Sequence, residues 1–297
     1  MIKINTSINI ENEFDKSIKK MFKNGFCKTV NKKILWNITF KDIDKILQKK
    51  FQEFDKNISL EKLILIDYNY MNKLVKYTNK SPKRYEFSNK EKDYFLTMYQ
   101  RLNKADLINS LDVTTCPYCN RNYIFNFSKN NKHNATAQLD HFFDKKKYPF
   151  LAVSLYNLVP SCSTCNQRKS SKQENIFYPY KESFNECAKF TYSISKINEI
   201  DLKIKALKEN EKVEKHIEIF NLENIYNGHK DTVLELIQKR EIYPDSYIDE
   251  LYENYSFFNN REDVLRLITG GYVDDKDLGK RPLSKLIKDI SEELELI

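Results

Sequence analysis

Glycine is nearly missing from this 297-residue chain: Gly25, Gly228, Gly270, Gly271 and Gly279 are all there is, with none from 26 to 227. A phosphate-cradling loop needs closely spaced glycines so that backbone N–H groups can approach the oxygens, and neither G-x-x-x-x-G-K-[ST] nor G-x-G-x-x-G occurs. ATP hydrolysis of that type must come from another chain. The nucleophile elbow G-x-S-x-G is absent as well. No stretch approaches the ~18 uninterrupted apolar residues of a membrane span, and the opening MIKINTSINIENEF lacks the apolar core of a signal peptide. The chain therefore reads as cytoplasmic, where thiols stay reduced and cysteines suggest metal ligation before disulfides.

What is present describes a soluble, aromatic-rich globular protein: 40% hydrophobic and 31% charged residues, 19 Tyr and 19 Phe, and a mean hydropathy of -0.66. Disorder and collagen are excluded. The length suits one large or about two ordinary domains at roughly 150 residues each. A formal charge of +8 fits a nucleic-acid partner, because Lys and Arg neutralise phosphates. A chain so rich in Lys, Asn, Ile and Tyr also carries such a charge from composition alone.

Residues 1–112 read as an N-terminal helical region. Phe14, Ile18, Met21 and Phe22 recur at helix spacing up to Asn24-Gly25, and Ile43, Ile46, Leu47 and Phe54 form a second stripe. Leu60, Leu63, Ile64, Met71, Leu74 and Val75 form a third behind Ser59. A capping box at Ser88-Asn89-Lys90-Glu91 opens a fourth helix through Tyr94, Phe95, Met98, Tyr99 and Leu102. Residues 113–180 change texture, holding four of the seven prolines and four of the six cysteines, with strand-like runs at 123–127 and 136–142. Residues 181–297 read as mainly helical, after a strand at Phe190, Tyr192 and Ile194. Helix spacing returns from Leu222 to Ile237, and Pro282 precedes a last helix with Leu286, Ile287, Ile290 and Leu294.

Cys116-Pro-Tyr-Cys119 and Cys162-Ser-Thr-Cys165 are two C-x-x-C knuckles. Each can turn two thiolates toward one ion, and together they complete a tetrahedral all-cysteine structural Zn2+ site. A redox pair or buried inert thiols is the rival reading, and it requires two independent pairs by coincidence. Cys27 and Cys187 stand alone and read as structural.

The loop that zinc would close contains Asp140-His141, then Asn157, with Asn166 directly after the second knuckle. Neighbouring residues on a strand point to opposite faces unless the strand kinks or ends, so Asp140 and His141 suit different jobs. Asp140 is an oxygen ligand of the kind a hard divalent ion prefers; His141 is an imidazole able to take a proton near pH 7. Asn166 offers a second oxygen, and Asn157 can hold a loop through its amide. Lys145, Lys146 and Lys147 either grip phosphates or form a solvated face, whereas Arg168 and Lys169, at the start of an expected helix, read as phosphate contacts. His133 falls in a polar turn and His229 on an apolar stripe; His216 has no assignment.

Cys116-x-x-Cys119, Asp140-His141, Asn157 and Cys162-x-x-Cys165-Asn166, followed by Arg168-Lys169, resemble the zinc-bound HNH (ββα-metal) nuclease motif in its Asp-His, Asn, Asn form, over about residues 113–172. The wording LDHFFDKKKYPFLAVSLYNLVPSCSTCNQRK looks more narrowly like the HNH nuclease subunit of Septu-type bacterial anti-phage systems, also found beside some retrons. ENIYNGHK at 223–230 and RPLSKLIKDI at 281–290 extend the likeness. The family often has His where this chain has Asn166. The resemblance implies an α+β protein, mostly α, with an embedded zinc-stapled ββα-metal module. It also implies that His141 deprotonates the attacking water, that Asp140 and Asn166 hold one Mg2+ or Mn2+, and that Asn157 orients the segment carrying His141. The implied partners are nucleic acid, with DNA favoured over RNA, and a separate ABC- or SMC-like ATPase subunit acting against phage. Two rivals keep the same residues: a catalytically silent zinc module that binds nucleic acid or protein, and an HNH-type RNase acting on tRNA.

Overall fold

The computed structural model describes residues 2–23, 25–129, 132–172, 175–196 and 199–297. Helix α1 (Ile8–Phe22) starts where Ser7 Oγ accepts from the Ile10 N–H, and it turns Phe14 and Ile18 inward. Asn24, expected in its stop, lies outside the described residues; Gly25 follows with a left-handed φ of +80°. The next stretch departs from the all-helical expectation. Strands β1 (Phe26–Val30) and β2 (Lys33–Ile38) pair antiparallel around Asn31 and Lys32, both at positive φ. That turn conformation is usually marked by glycine, which is why the hairpin escapes a reading by composition. Trp36 fixes it to the helical core by donating to Asp93 Oδ2 at 2.8 Å, beside the Lys28 ion pair with the same carboxylate.

Helix α2 (Phe40–Phe51) begins with a Thr39–Asp42 capping box. The third stripe is two helices, α3 (Leu60–Ile64) and α4 (Tyr68–Lys80), because Asp67 caps a new N-terminus by accepting from the Tyr70 N–H. Helix α5 (Asn89–Arg101) carries the expected Ser88–Glu91 capping box, and α6 (Lys104–Ser110) follows. In the middle third, β3 (Asn126–Lys129) pairs with β4 (Lys132–Ala135), and β5 (Gln138–His141) pairs antiparallel with β6 (Leu158–Ser161). The side chain of His133 lies outside what is described. Helix α7 (Ser163–Lys169) comes directly after β6, so a two-stranded hairpin leads into one short helix.

Strand β7 (Ala188–Lys196) pairs with β8 (Glu199–Ala206), which alternates buried Ile200, Leu202 and Ile204 with exposed residues. Then come α8 (Glu211–Phe220), α9 (Leu222–Tyr226), α10 (Lys230–Ile242), α11 (Asp245–Asn254), α12 (Arg261–Thr269) and α13 (Ser284–Glu293). The fold is α+β, about half helical with small two-stranded sheets. None of its helices is long and apolar enough to cross a membrane among the described residues. Buried side chains from all three stretches join in one cluster. Phe51 meets Phe150 at 5.0 Å from one side, and Tyr118 stacks on Phe220 at 4.8 Å from the other. The middle third is therefore gripped by both flanks.

Candidate metal centre and adjoining pocket

The ligand atoms of Cys116, Cys119, Cys162 and Cys165 all lie within 4.8 Å of one another, and all four residues are buried. A zinc ion with Zn–S bonds of about 2.3 Å places its sulfurs roughly 3.8 Å apart, so the cluster has the right size for it. The backbone is shaped to the same end. Asn120, with φ 49°, turns the first knuckle, and the Arg121 and Cys165 N–H groups point at Cys119 Sγ and Cys162 Sγ. Four thiols this close compete for protons: burial pushes Cys116 up, while hydrogen bonds from Cys116 and its neighbours pull Cys119 and Cys162 down. A divalent cation that accepts four thiolates removes the conflict. The knuckle is also held from outside. Tyr226 Oη donates to Cys119 O at 2.6 Å, His216 Nε2 to Tyr118 O at 2.9 Å, and Asn120 bonds Leu278 O and the Lys285 N–H.

Beside this centre a pocket of about 340 Å³ is lined by Gln138, Asp140, His141, Asp144, Lys145 and Asn166, with Tyr99 and Lys104 arriving from α5 and α6. Asp140 is buried, and one of its oxygens is fully engaged: Oδ2 accepts from Tyr118 Oη at 2.7 Å and faces the Lys169 ammonium at 3.0 Å. Its Oδ1 has no hydrogen bond among the described residues, so the carboxylate is fixed from behind with one oxygen to spare. Asn166 donates through Nδ2 to Gln138 Oε1 at 2.6 Å, which leaves its own amide oxygen unused. Two hard oxygens on one pocket are a donor set that fits Mg2+ or Mn2+.

His141 ends β5, and its Nε2 lies 3.0 Å from Ala152 O. A carbonyl only accepts, so Nε2 carries the hydrogen and Nδ1 keeps the lone pair. Burial, then the positive charges of Lys145, Lys169 and Lys104, bring the imidazole down to about 3, so the ring is neutral at physiological pH. The Tyr99 ring packs edge-on against it at 4.4 Å, with Lys104 and Lys145 each 4.4 Å from the Tyr99 ring. Asn157, fully buried, ties the loop between the two strands. It accepts from the Phe143 N–H at 2.7 Å and donates to Phe143 O and Leu151 O.

Comparison with curated proteins finds the Septu protein PtuB of Bacillus thuringiensis, 26% identical over 163 residues. The match takes in 43% of this chain and 63% of that protein, so the chain spans under two thirds of the relative's length. No family model and no solved structure matches.

Lys169 is a correction to the sequence reading. Its ammonium is buried, pairs with Asp140 and donates to His141 O at 2.8 Å, so it holds the pocket's floor and cannot touch a phosphate in solvent. Arg168 is half-buried and donates to Phe220 O at 3.3 Å. The three consecutive lysines separate: Lys145 lines the pocket, while Lys146 and Lys147 line a second hollow with Lys83 and Lys92. His229 is half-buried at the start of α10, outside the core that its stripe suggested. Sequence reasoning missed Tyr118, Tyr99, Lys104 and Gln138. Tyr118 sits between the first two cysteines and could have been found from its place in the knuckle; Tyr99 and Lys104 carry no local signal.

Proposed function

We propose that the chain is a metal-dependent nuclease of the HNH, ββα-metal kind that hydrolyses a nucleic-acid phosphodiester bond. The observation that carries the proposal is the meeting of Asp140, His141 and Asn166 on one pocket beside a buried four-cysteine centre, with Asn157 bracing the loop between them. Asp140 and Asn166 would hold a divalent ion, Mg2+ or Mn2+, which supplies positive charge against the charge that builds on the leaving oxygen. His141 takes the proton of the attacking water at Nδ1, because Nε2 is committed to Ala152 O. Ala152 O and the Tyr99 edge fix the ring's orientation. Lys104 and Lys145 attract the phosphate, and the bound anion opposes the charges that hold His141 low, which moves the imidazole back toward its ordinary range.

The likeness to a Septu protein supports an anti-phage role for this chain. The resemblance of its motif wording implies a separate ABC- or SMC-like ATPase as partner, for which the helical flanks would be the docking scaffold. Incubating purified protein with duplex DNA, single-stranded DNA and RNA, plus Mg2+ or Mn2+, with and without that ATPase, tests the reading. Metal-dependent cleavage that His141→Ala abolishes is expected. Binding without cleavage of any substrate, with or without the ATPase, would leave only a silent zinc module.

A further inference from the structure

Tyr123, Phe125 and Phe127 follow the first knuckle at alternate positions and are 44%, 47% and 51% exposed, while Ile124 between the first two is buried. The alternation is that of an extended strand with one face turned to solvent. It is enforced on both sides. Ile124 N–H donates to Thr114 O at 2.9 Å, and Phe125 exchanges hydrogen bonds with Thr136 through its N–H and its carbonyl. The Tyr123 and Phe125 rings stack on each other at 4.5 Å, 22° from parallel, and so present one continuous aromatic ledge. A contiguous exposed row differs from the scattered apolar residues of an ordinary surface.

We infer that this ledge binds the bases of an unpaired nucleic-acid strand whose backbone leads into the pocket. The inference rests on the reading of that pocket as a phosphodiester site. Thr136, which Phe125 bonds, is followed directly by Ala137 and Gln138 of the pocket lining, so the backbone that anchors the ledge runs straight into the pocket wall. The rim carries Lys104 and Lys145, the charge a phosphate backbone seeks. Three half-exposed rings are far short of the roughly 800 Å² per partner of a stable protein interface. They suffice for one or two bases, since aromatic faces stack on any base.

The test is fluorescence anisotropy with the cleavage-dead His141→Ala protein, a labelled oligothymidylate and a duplex of equal length. In that background Tyr123→Ala with Phe125→Ala should weaken single-strand binding roughly 10- to 100-fold, about the loss of one stacked base. Duplex binding, zinc content and thermal midpoint should stay close to the parent's. Phe125→Leu keeps apolar surface but removes the π-face, and it should bind single strand as poorly as Phe125→Ala. Full single-strand affinity in the double variant overturns the ledge alone, as does rescue by Phe125→Leu. Ring variants that lose a co-purifying protein while keeping oligonucleotide affinity overturn it too. A His141→Ala parent that binds neither oligonucleotide overturns the reading of the pocket and the ledge with it.

Discussion

Lys169→Met separates two views of a lysine that the sequence offers to phosphate and the structure gives to Asp140. The side chains of Lys169 and Asp140 are 1% and 4% exposed, and the ammonium also serves His141 O. Methionine of similar length leaves the Asp140 charge buried with only the Tyr118 hydroxyl for compensation. Breaking a buried pair from one side costs about 3–5 kcal/mol. For 297 residues, an unfolding entropy near 2.1 cal/mol/K per residue converts that loss to a fall of roughly 5–8 °C in Tm. Adding Asp140→Asn should recover part of the loss, because the charge left unpaired is then gone. Denaturant titration and calorimetry on zinc-loaded protein measure this, and the salt dependence of oligonucleotide binding supplies an independent readout. A solvent-facing phosphate contact would cost under about 0.5 kcal/mol and would lower the salt slope by about 1. That pattern in Lys169→Met would refute the buried role.

Three further expectations follow from the same geometry. Cys162→Ser should give insoluble or partly unfolded protein, and elemental analysis of the parent should find one zinc per chain; well-folded zinc-free parent would remove the metal centre. His141→Ala should lower cleavage by roughly a hundred- to ten-thousand-fold with fold and zinc content unchanged, since the ring's loss removes a proton acceptor. Acid should destabilise the fold below pH 6.5, because His141, held down to about 3, and His216, held well below its ordinary value by burial, stay neutral while the unfolded chain takes up protons. With the unfolded state binding more protons, stability falls as pH falls, by about 2 kcal/mol between pH 7 and 5 for His141 alone, and His216 adds to the fall in the same direction. Denaturant midpoints that are flat across that range contradict it.

What the sequence reveals and hides divides along physical lines. The knuckles are legible because zinc demands paired thiols at fixed spacing, and the Ser88–Glu91 box because helix ends need local donors and acceptors. Asp140-His141 stands out as two chemically distinct groups side by side. The burial of Lys169 is not legible: a lysine beside Arg168 in a basic run looks solvated until α7 rolls it onto Asp140. Tyr99 reaches His141 from a helix some forty residues upstream, and amphipathic spacing reports only that it faces inward. The β1–β2 hairpin turns on Asn31 and Lys32 with no glycine to announce it, whereas β8 does carry a period of two in Ile200, Leu202 and Ile204.

The outside grip on the first knuckle bears on how the protein is made. Asn120 is bonded by Leu278 and Lys285, and Thr114 and Thr115 both donate to Gly279 O. A ribosome adding roughly 5–20 residues per second takes on the order of ten seconds to travel the 113 residues from Cys165 to Leu278. Throughout that interval all four thiols have been synthesised while the segment that clasps Asn120 does not yet exist. A nascent chain interrupted there would own every cysteine and Asp140, His141, Asn157 and Asn166 as well, yet its first knuckle would lack its clasp. The braced form of the first knuckle thus arrives late in translation, after every residue of the metal centre and the pocket's Asp140, His141 and Asn166.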